Sequence, residues 1–432
     1  MNKMIKTLIL IFLFFHTKEE TIIDLEDLIE GDGYTIEDNQ IIFTSPGTYN
    51  IAGQSNLALV ISKSITLNLL GVQIATEEEL PPIDICSGCQ VTINVKGVNS
   101  SFTDNASNAK NAVIYMQSGS SLTITSETTN TCLFLTPVKD KGIYGEGSNN
   151  LIVNNGVTIQ YDDNNYATFI EIDGNIEVNH GNIGFKNNVQ NACPSIKASG
   201  SITIKKGMCG LHSIQAENNI KIGERGGSYS NTNVQIRTGD EGMKAKDIEI
   251  YSSELTIISD KDSISSNGNI LIEDSFVYLY AGSTGLRSSP FKKVGKLQIR
   301  NSNIIAFGTN CEGEIMTNQG TMTFVGDIIP GKEIYIAQYG VASEGINPDK
   351  EYSYYFRTSP SFQSSVNDDI HLLIDGEVVP SEEHSCNVIS DDDSNAGNSG
   401  NTGNAGKNKK NSAKYLNVSK LYHLLFIYLI LF

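Results

Sequence analysis

A short alternating motif recurs through the middle of the chain, and it limits the possible folds more than any other feature. In each copy a polar residue precedes apolar residues at alternate positions, as in Ser64-Ile-Thr-Leu67 and Gln90-Val-Thr-Ile93. Further copies begin at Ser121, Asn150, Asn175, Ser201, Asn219, Asp247, Asn269 and Lys296. The starts are on average about 26 residues apart, a period that is typical of solenoids and other repeat proteins.

Each repeat contains two further short segments with the same alternation. Val72-Gln-Ile74 and Val157-Thr-Ile159 represent the second segment, and Ile170-Glu-Ile172 and Met243-Lys-Ala245 represent the third. Alternation of this kind predicts β-strands with one buried face. Helical spacing is missing over about 250 residues, which excludes α/β folds.

Three strands per repeat, stacked repeat upon repeat, predict an all-β fold: a parallel, right-handed β-helix of about ten three-strand rungs. A single rung cannot bury its apolar side alone, whereas rungs stacked about 4.8 Å apart form continuous columns of Ile, Val and Leu. A β-sandwich of similar length is the structural alternative. We expect the β-helix to occupy residues 41–308, with an N-terminal cap over 18–40 and a small C-terminal β segment over 309–388. The open edges of a β-helix need such caps.

Both ends of the chain have the composition of targeting segments. Residues 1–17 combine Lys3 and Lys6 with an apolar run, as in a signal peptide. Residues 389–412 form a polar stalk, and residues 413–432 end in an apolar tail. This layout predicts a GPI-attachment signal with attachment at Asn411, and a short tail anchor is the alternative. The protein is therefore expected at the cell surface, held to the membrane by a lipid anchor.

The cysteines and two acceptor sequences agree with secretion. Seven cysteines are present, and an odd number leaves at least one without an intramolecular partner. The disulfide candidates are Cys193 with Cys209, at similar corners of adjacent rungs, and Cys311 with Cys386. Cys86-x-x-Cys89 has no second cysteine pair, which argues against zinc. Candidate glycosylation sites are Asn99 and Asn105.

The charge of the chain argues against nucleic acid as a partner. The formal net charge is −18, whereas binding to phosphate backbones requires a basic surface. The sequence does not indicate an oligomeric state.

Two segments carry a family resemblance. One is Pro46-Gly-Thr-Tyr-Asn-Ile-Ala-Gly53, and the other is Asp240-Glu-Gly-Met-Lys-Ala-Lys-Asp-Ile-Glu-Ile250, which Asp262-Ser-Ile-Ser-Ser266 follows in part. They resemble the opening and rung motifs of the extracellular carbohydrate-binding domain family of calcium-associated β-solenoids. The fold of that family is similar to the β-helix of pectate-type polysaccharide lyases. The resemblance implies a carbohydrate-binding protein, with a polysaccharide or glycan as partner and Ca²⁺ as a cofactor.

The densest polar cluster predicts where calcium would bind. The candidate ligands are Asp240, Glu241, Asp260 and Asp262. Stacking places Glu241 and Asp262 at equivalent positions of adjacent rungs, and converging oxygen ligands suit Ca²⁺. The alternative is a solvated corner with ordinary charge pairs.

Outward-facing side chains predict the carbohydrate site. On the third strands we expect a column of Tyr144, Glu171, Lys197, Gln215, Lys244, Ser265 and Arg287. The second strands become apolar late in the helix, and their aromatic rings could form a platform for sugars. The candidate carbohydrate-binding residues are Lys244, Arg237, Arg287, Tyr278 and Tyr280. We favour the alternative for the aromatic stripe, in which residues 309–388 pack on it, because an exposed apolar patch is a liability.

Three function classes follow from these features. The first is a cell-surface carbohydrate-binding protein, with calcium assisting. The second is a polysaccharide lyase, in which Lys244 or Arg287 would be the catalytic base. The third is a non-enzymatic adhesin or structural coat protein. Glycan binding without turnover would support the first class, and unsaturated uronate products would support the second. Protein binding without glycan affinity would support the third.

Overall fold

The computed structural model describes residues 22–77, 80–105, 112–128, 131–137, 141–161, 168–185, 195–228, 231–282, 288–310, 313–317, 319–328, 334–338, 341–342, 352–360, 370–374, 377–378 and 386–389. These residues belong to two compact units, residues 1–200 and residues 201–432, called here the first and second unit. The predicted signal peptide, stalk and attachment signal, including Asn411, lie outside the described residues.

The first unit consists of short strands joined by corners and loops. Its strands are β1 Ile22–Asp24, β2 Tyr34–Glu37, β3 Gln40–Phe43, β4 Gly47–Ser55, β5 Ala58–Ile61, β6 Ile65–Thr76, β7 Ile83–Ile85, β8 Gln90–Val95, β9 Ser100–Asp104, β10 Ala112–Met116, β11 Ser121–Ser126, β12 Cys132–Thr136, β13 Lys141–Val153, β14 Val157–Tyr161, β15 Thr168–Val178, β16 Gly181–Phe185 and β17 Ser195–Ala198.

Strands of successive repeats in the first unit pair in parallel, and their apolar residues stack in columns. The third strands align six inward side chains: Leu59, Ile83, Ile114, Ile143, Ile170 and Ile196. All six are at most 1% exposed. Complete burial of an aliphatic side chain stabilises the fold by roughly 1.5–3 kcal/mol, so each added rung extends the core.

The N-terminal strands complete the first unit. β1 pairs in parallel with β4, and β2 forms an antiparallel hairpin with β3. The side chain of Phe43 is buried between the rings of Tyr34 and Tyr49. The region predicted as a cap therefore supplies partners for the first parallel strands.

The second unit has the same kind of rungs. Its strands are β18 Ile202–Ile204, β19 Gly207–Leu211, β20 Ser213–Ala216, β21 Asn219–Ile222, β22 Thr232–Thr238, β23 Met243–Ala245, β24 Asp247–Tyr251, β25 Glu254–Ser259, β26 Ile264–Ser266, β27 Ile270–Glu273, β28 Phe276–Ala281, β29 Phe291–Lys293, β30 Leu297–Arg300, β31 Asn303–Gly308, β32 Gly313–Thr317, β33 Gly320–Ile328, β34 Ile334–Gln338, β35 Val341–Ala342, β36 Tyr352–Ser359, β37 Ile370–Ile374, β38 Glu377–Val378 and β39 Cys386–Ile389.

Parallel pairing also defines the core of the second unit. The first strands align Ile202, Ile220, Ile248, Ile270, Leu297 and Ile315. The third strands align Ile214, Met243, Ile264 and Phe291. These columns, and those of the first unit, confirm the predicted all-β class and the parallel β-helix.

The C-terminal strands differ from the rungs in direction. β36 lies antiparallel between β31 and β33. β34, β35, β37 and β38 form a separate antiparallel sheet within the region predicted as the C-terminal β segment. β32 extends the column of first strands and pairs in parallel with both β30 and β39.

Candidate functional site

The third strands of the second unit present the outward column that contains Lys244. Met243 and Ala245 face inward on β23, so Lys244 between them is exposed. The column runs through Gln215, Lys244, Ser265 and Lys292. The position that the sequence analysis gave to Arg287 thus belongs to Lys292, because Phe291 is the inward residue that stacks on Ile264. Arg287 itself lies outside the described residues.

Each of three predicted calcium ligands faces a lysine. The ammonium group of Lys244 is 2.6 Å from Glu241, that of Lys261 is 2.6 Å from Asp240, and that of Lys292 is 3.2 Å from Asp262. The hydrogen bond from Lys261 holds the pKa of Asp240 below its ordinary value, and the same bond raises the pKa of Lys261.

In this arrangement three of the four predicted calcium ligands are already paired with lysines. Ca²⁺ takes six to eight oxygen ligands, and the lysine ammonium groups already neutralise these carboxylates. The described part of the chain contains no group of three or more His, Cys, Asp or Glu side chains placed to hold a metal. Asp262 has a second partner, since its Oδ1 atom accepts a hydrogen bond from the backbone N–H of Ser289 at 2.8 Å. Asp260 contributes its backbone N–H to Thr238. The calcium site stays a prediction.

Two outward columns of side chains run across the second strands of four successive rungs, which are β22, β25, β28 and β31. One column runs through Arg237, Ile258, Tyr280 and Phe307, and the other runs through Gln235, Thr256, Tyr278 and Ile305. Arg237 and Gln235 are exposed, whereas Thr256, Ile258 and Tyr278 are half-buried. We call Gln235, Arg237, Thr256, Ile258 and Tyr278 the second-strand face.

The C-terminal segment covers the last part of the aromatic stripe. The ring of Tyr280 stacks on that of Phe307 with centroids 5.3 Å apart and an interplanar angle of 11°. Tyr352 and Tyr355 of β36 pack against Phe307 at 5.2 and 4.9 Å, and Phe307 is completely buried. The packing alternative was therefore right for this end of the stripe. Tyr280 belongs to this aromatic cluster, and Tyr278 lies on the half-exposed column beside it.

In the first unit the outward column of third strands is a charged network. Tyr144, Glu171 and Lys197 are register partners, as expected. The carboxylate of Glu171 accepts hydrogen bonds from the ammonium groups of Lys141 at 2.8 Å and Lys197 at 3.0 Å. The Lys141 ammonium group also lies 3.7 Å from the centre of the Tyr144 ring. Burial alone would raise the pKa of Glu171, but the hydrogen bonds from the two lysines outweigh it and lower the pKa.

A column of asparagines in the first unit escaped the sequence analysis. Asn50, Asn68 and Asn94 are register partners on β4, β6 and β8. The amide of Asn68 donates to Asn50 at 2.7 Å, and that of Asn94 donates to Asn68 at 3.1 Å. Their common signal is an asparagine directly after the alternating motif, as in Leu67-Asn68 and Ile93-Asn94.

Both candidate glycosylation sites are exposed asparagines beside strand β9. The Oδ1 atom of Asn99 accepts a hydrogen bond from the backbone N–H of Cys132, and the backbone N–H of Asn105 donates to Thr76. Neither contact uses the side-chain nitrogen to which a glycan is attached, so both sites stay predictions.

The cysteines are arranged differently from the predicted pairs. Cys86 and Cys89, which were not among the disulfide candidates, form a disulfide with their Cα atoms 5.5 Å apart. Cys209 lies in mid-strand rather than at a corner, because it stacks on Val234 in the core column and is 2% exposed. Its predicted partner Cys193 lies outside the described residues, as does Cys311. Cys386 lies on β39, as the register partner of Gly313. Both predicted pairs therefore stay predictions.

A protein-family model matches the part of the chain that contains most of the rungs. The model of the carbohydrate-binding domain-containing proteins matches residues 37–285, which is more than half of the chain. The chain belongs to this family. The match confirms the predicted carbohydrate-binding protein and the polysaccharide or glycan as its class of partner. The carbohydrate-binding domain includes all of the second-strand face and the asparagine column.

The other comparisons add little to this family assignment. No curated protein matches the sequence significantly. Among solved structures, the chain is similar to a polysaccharide lyase-like protein from C. thermocellum, determined as a gadolinium derivative. The identity is 20% and the TM-score is 0.36, over 64% of this chain and 95% of that one. Within the described residues, the search for an apolar helix of bilayer-spanning length finds none.

Proposed function

We propose that the chain binds a polysaccharide along the second-strand face. The observation that carries this proposal is the register that brings Tyr278 beside Thr256, with Gln235 one rung further and Arg237 on the adjacent column. A tyrosine ring offers an apolar surface to the C–H groups of a sugar together with a polar hydroxyl group. Arginine and glutamine supply several hydrogen-bond donors for sugar hydroxyls. Rungs about 4.8 Å apart place these groups along a line, which suits an extended polymer.

A neutral polysaccharide fits this face better than an anionic one. The chain carries a net charge of −18, which repels a polyanion at long range. Arg237 is the cation of the face. Lys244 and Lys292 of the neighbouring third-strand column are already paired with Glu241 and Asp262, and Lys261 in the adjoining turn is paired with Asp240. Calcium-assisted binding of an anionic polymer at the predicted ligands would require those pairs to open.

The lyase alternative assigns Lys244 as a base, and the geometry gives it less support than binding. A general base must lie within hydrogen-bond reach of the proton that it removes, and Lys244 is held by Glu241 at 2.6 Å. The adhesin alternative does not require the second-strand face to bind carbohydrate. Both become outcomes of the test below.

We also propose that the protein is displayed at the cell surface through a GPI anchor. The support is in the sequence, namely the apolar run after Lys6 in residues 1–17 and the small-residue, spacer and apolar order of residues 411–432. Release of the protein from intact cells by a phosphatidylinositol-specific phospholipase would support the anchor. Retention after Asn411 is replaced by a bulky residue, with unchanged release by the enzyme, would argue against attachment at that site.

The test is a polysaccharide array probed with the full chain, in the presence and absence of Ca²⁺. We expect binding to a neutral polysaccharide that is insensitive to Ca²⁺ and about tenfold weaker in Tyr278→Ala and Arg237→Ala, which is roughly 1.4 kcal/mol each. Lys246→Ala is the matched control, because Lys246 is exposed at a corner away from the face.

Each other outcome favours a different function. Binding that is lost in Lys246→Ala but kept in Tyr278→Ala would move the site away from the face. Unsaturated products that disappear in Lys244→Ala would establish the lyase. Protein binding without affinity for any polysaccharide would favour the adhesin.

A further inference from the structure

The asparagine column of the first unit is interrupted at one rung. The register partner of Asn94 on β11 is Thr125, where the pattern calls for another asparagine. The column resumes beyond it, since Asn154 and Asn179 follow the paired residues Val153 and Val178, and the amide of Asn179 donates to Asn154 at 2.9 Å. Thr125 has no amide to continue the chain of hydrogen bonds.

The interruption leaves an acceptor of Asn94 unsatisfied. Both hydrogens of its side-chain amide are used, one by Asn68 and one by Glu127, each at 3.1 Å. Its Oδ1 atom is buried and has no hydrogen-bond partner among the described residues, and the whole residue is 8% exposed. Such an atom costs about 1–3 kcal/mol unless something donates to it.

A polar pocket lies at the interruption. Its volume is about 480 Å³, and its lining includes Asn94, Thr125, Glu127, Thr128, Asn155 and His180. The size is within the range of small-molecule sites in proteins. Asn155 has a φ angle of +50°, a conformation that turns the chain sharply next to His180.

We infer that this pocket binds a neutral sugar unit, whose hydroxyl groups pair with the polar side chains that line it. The threonine hydroxyls, the Asn155 amide and the His180 ring offer both donors and acceptors, as a polyol requires. The pocket does not suit a metal ion, because its carboxylate, Glu127, is 3.2 Å from the ammonium group of Lys96. It does not suit an anion either, since that carboxylate faces it. This site is distinct from the second-strand face, and its test does not depend on the proposed function.

The decisive variant is Thr125→Asn. An asparagine at this position continues the column, donates to Asn94 and fills the pocket. We expect this variant to unfold at a higher temperature than the wild type and to lose sugar binding by at least about tenfold. Asn179→Ala is the matched control, because Asn179 belongs to the same column and also has an unsatisfied Oδ1 atom but does not line the pocket. It should bind as the wild type does.

The measurement uses the full chain and four separate probes: glucose, galactose, mannose and N-acetylglucosamine. Saturation-transfer difference NMR and calorimetric titration report their binding. Two exposed-rim variants, Glu127→Gln and His180→Ala, replace Thr125→Asn if that variant does not fold, and each should weaken binding several-fold. No binding of any of the four sugars to the wild type would overturn the inference. So would equal binding by the wild type and Thr125→Asn. Polysaccharide binding that depends on Tyr278 should be unchanged in Thr125→Asn, which separates the two sites.

Discussion

The ammonium group of Lys261 lies 2.6 Å from the Oδ1 atom of Asp240 and lowers the pKa of that carboxyl group. Lys261 is in the turn between β25 and β26, whereas Asp240 is in the turn between β22 and β23, so the pair joins two adjacent rungs. Lys244 forms a second pair, with Glu241 of its own rung. The corner with the acidic rung motif is thereby neutralised by the chain itself.

The first prediction concerns calcium at this corner. Removal of both lysines in the double variant Lys244→Ala/Lys261→Ala leaves the carboxylates without their counter-charges. We expect this variant to bind Ca²⁺ at least tenfold more tightly than the wild type, because a cation then replaces two ammonium groups. Isothermal titration with Ca²⁺ measures the difference, and Lys246→Ala is the control. Tight Ca²⁺ binding by the wild type, unchanged in the double variant, would show that the ion uses other ligands.

The second prediction concerns stability at acid pH. Because hydrogen bonds from Lys141 and Lys197 lower the pKa of Glu171 in the folded chain, its ionised form contributes stability above the ordinary carboxyl pKa. That contribution is lost as the pH falls through the lowered folded-state value. Urea titrations from pH 7 to pH 3 should show a smaller loss of stability in Glu171→Gln than in the wild type. Glu146→Gln, at an exposed site of the same unit, should keep the wild-type profile.

The third prediction concerns a corner of the second unit. Gly223 has a φ angle of +76°, and an added Cβ atom would overlap the carbonyl oxygen of Tyr251 on the adjacent rung. Gly223→Ala should therefore destabilise the protein by about 1–3 kcal/mol, through backbone strain and displacement of the neighbouring rung. Gly210→Ala is the control, since a Cβ atom at Gly210 meets nothing within 4 Å. Equal midpoints for the two variants in urea would contradict this account of the corner.

Stacking registers were predictable from the sequence where the alternation is unambiguous. Met243 and Ile264 are each preceded by a polar corner and followed two positions later by a small residue, and they are register partners as expected. In the next rung the outward position was assigned to Arg287, but the structure gives it to Lys292. The assignment was wrong because Leu286-Arg287 and Phe291-Lys292 both place an apolar residue before a basic one. Alternation alone does not choose between two such pairs when the preceding loop varies in length.

Contacts that depend on long side chains and on corners were beyond sequence reasoning. Lys261 reaches Asp240 across a rung from a turn, and the sequence places no constraint on that reach. The asparagine column was detectable, because asparagine recurs directly after the alternating motif at Asn68, Asn94, Asn154 and Asn179. It was missed because a polar residue after an apolar run also marks an ordinary turn. Only the register shows that these asparagines stack.

The last prediction separates binding from packing at two neighbouring tyrosines. Tyr280 stacks on Phe307 at 5.3 Å within the cluster closed by Tyr352, whereas Tyr278 lies on the half-exposed column between Thr256 and Ile305. Tyr280→Ala should therefore lower the free energy of unfolding by roughly 2–4 kcal/mol, because it leaves a void in an aromatic cluster. It should also increase hydrogen exchange in β36. Tyr278→Ala should cost under about 1 kcal/mol of stability, as expected for a surface site, but weaken polysaccharide binding about tenfold. Both variants are measured by urea unfolding and by the array. A Tyr280 variant that is fully stable yet fails to bind would place the sugar on the covered end of the stripe instead.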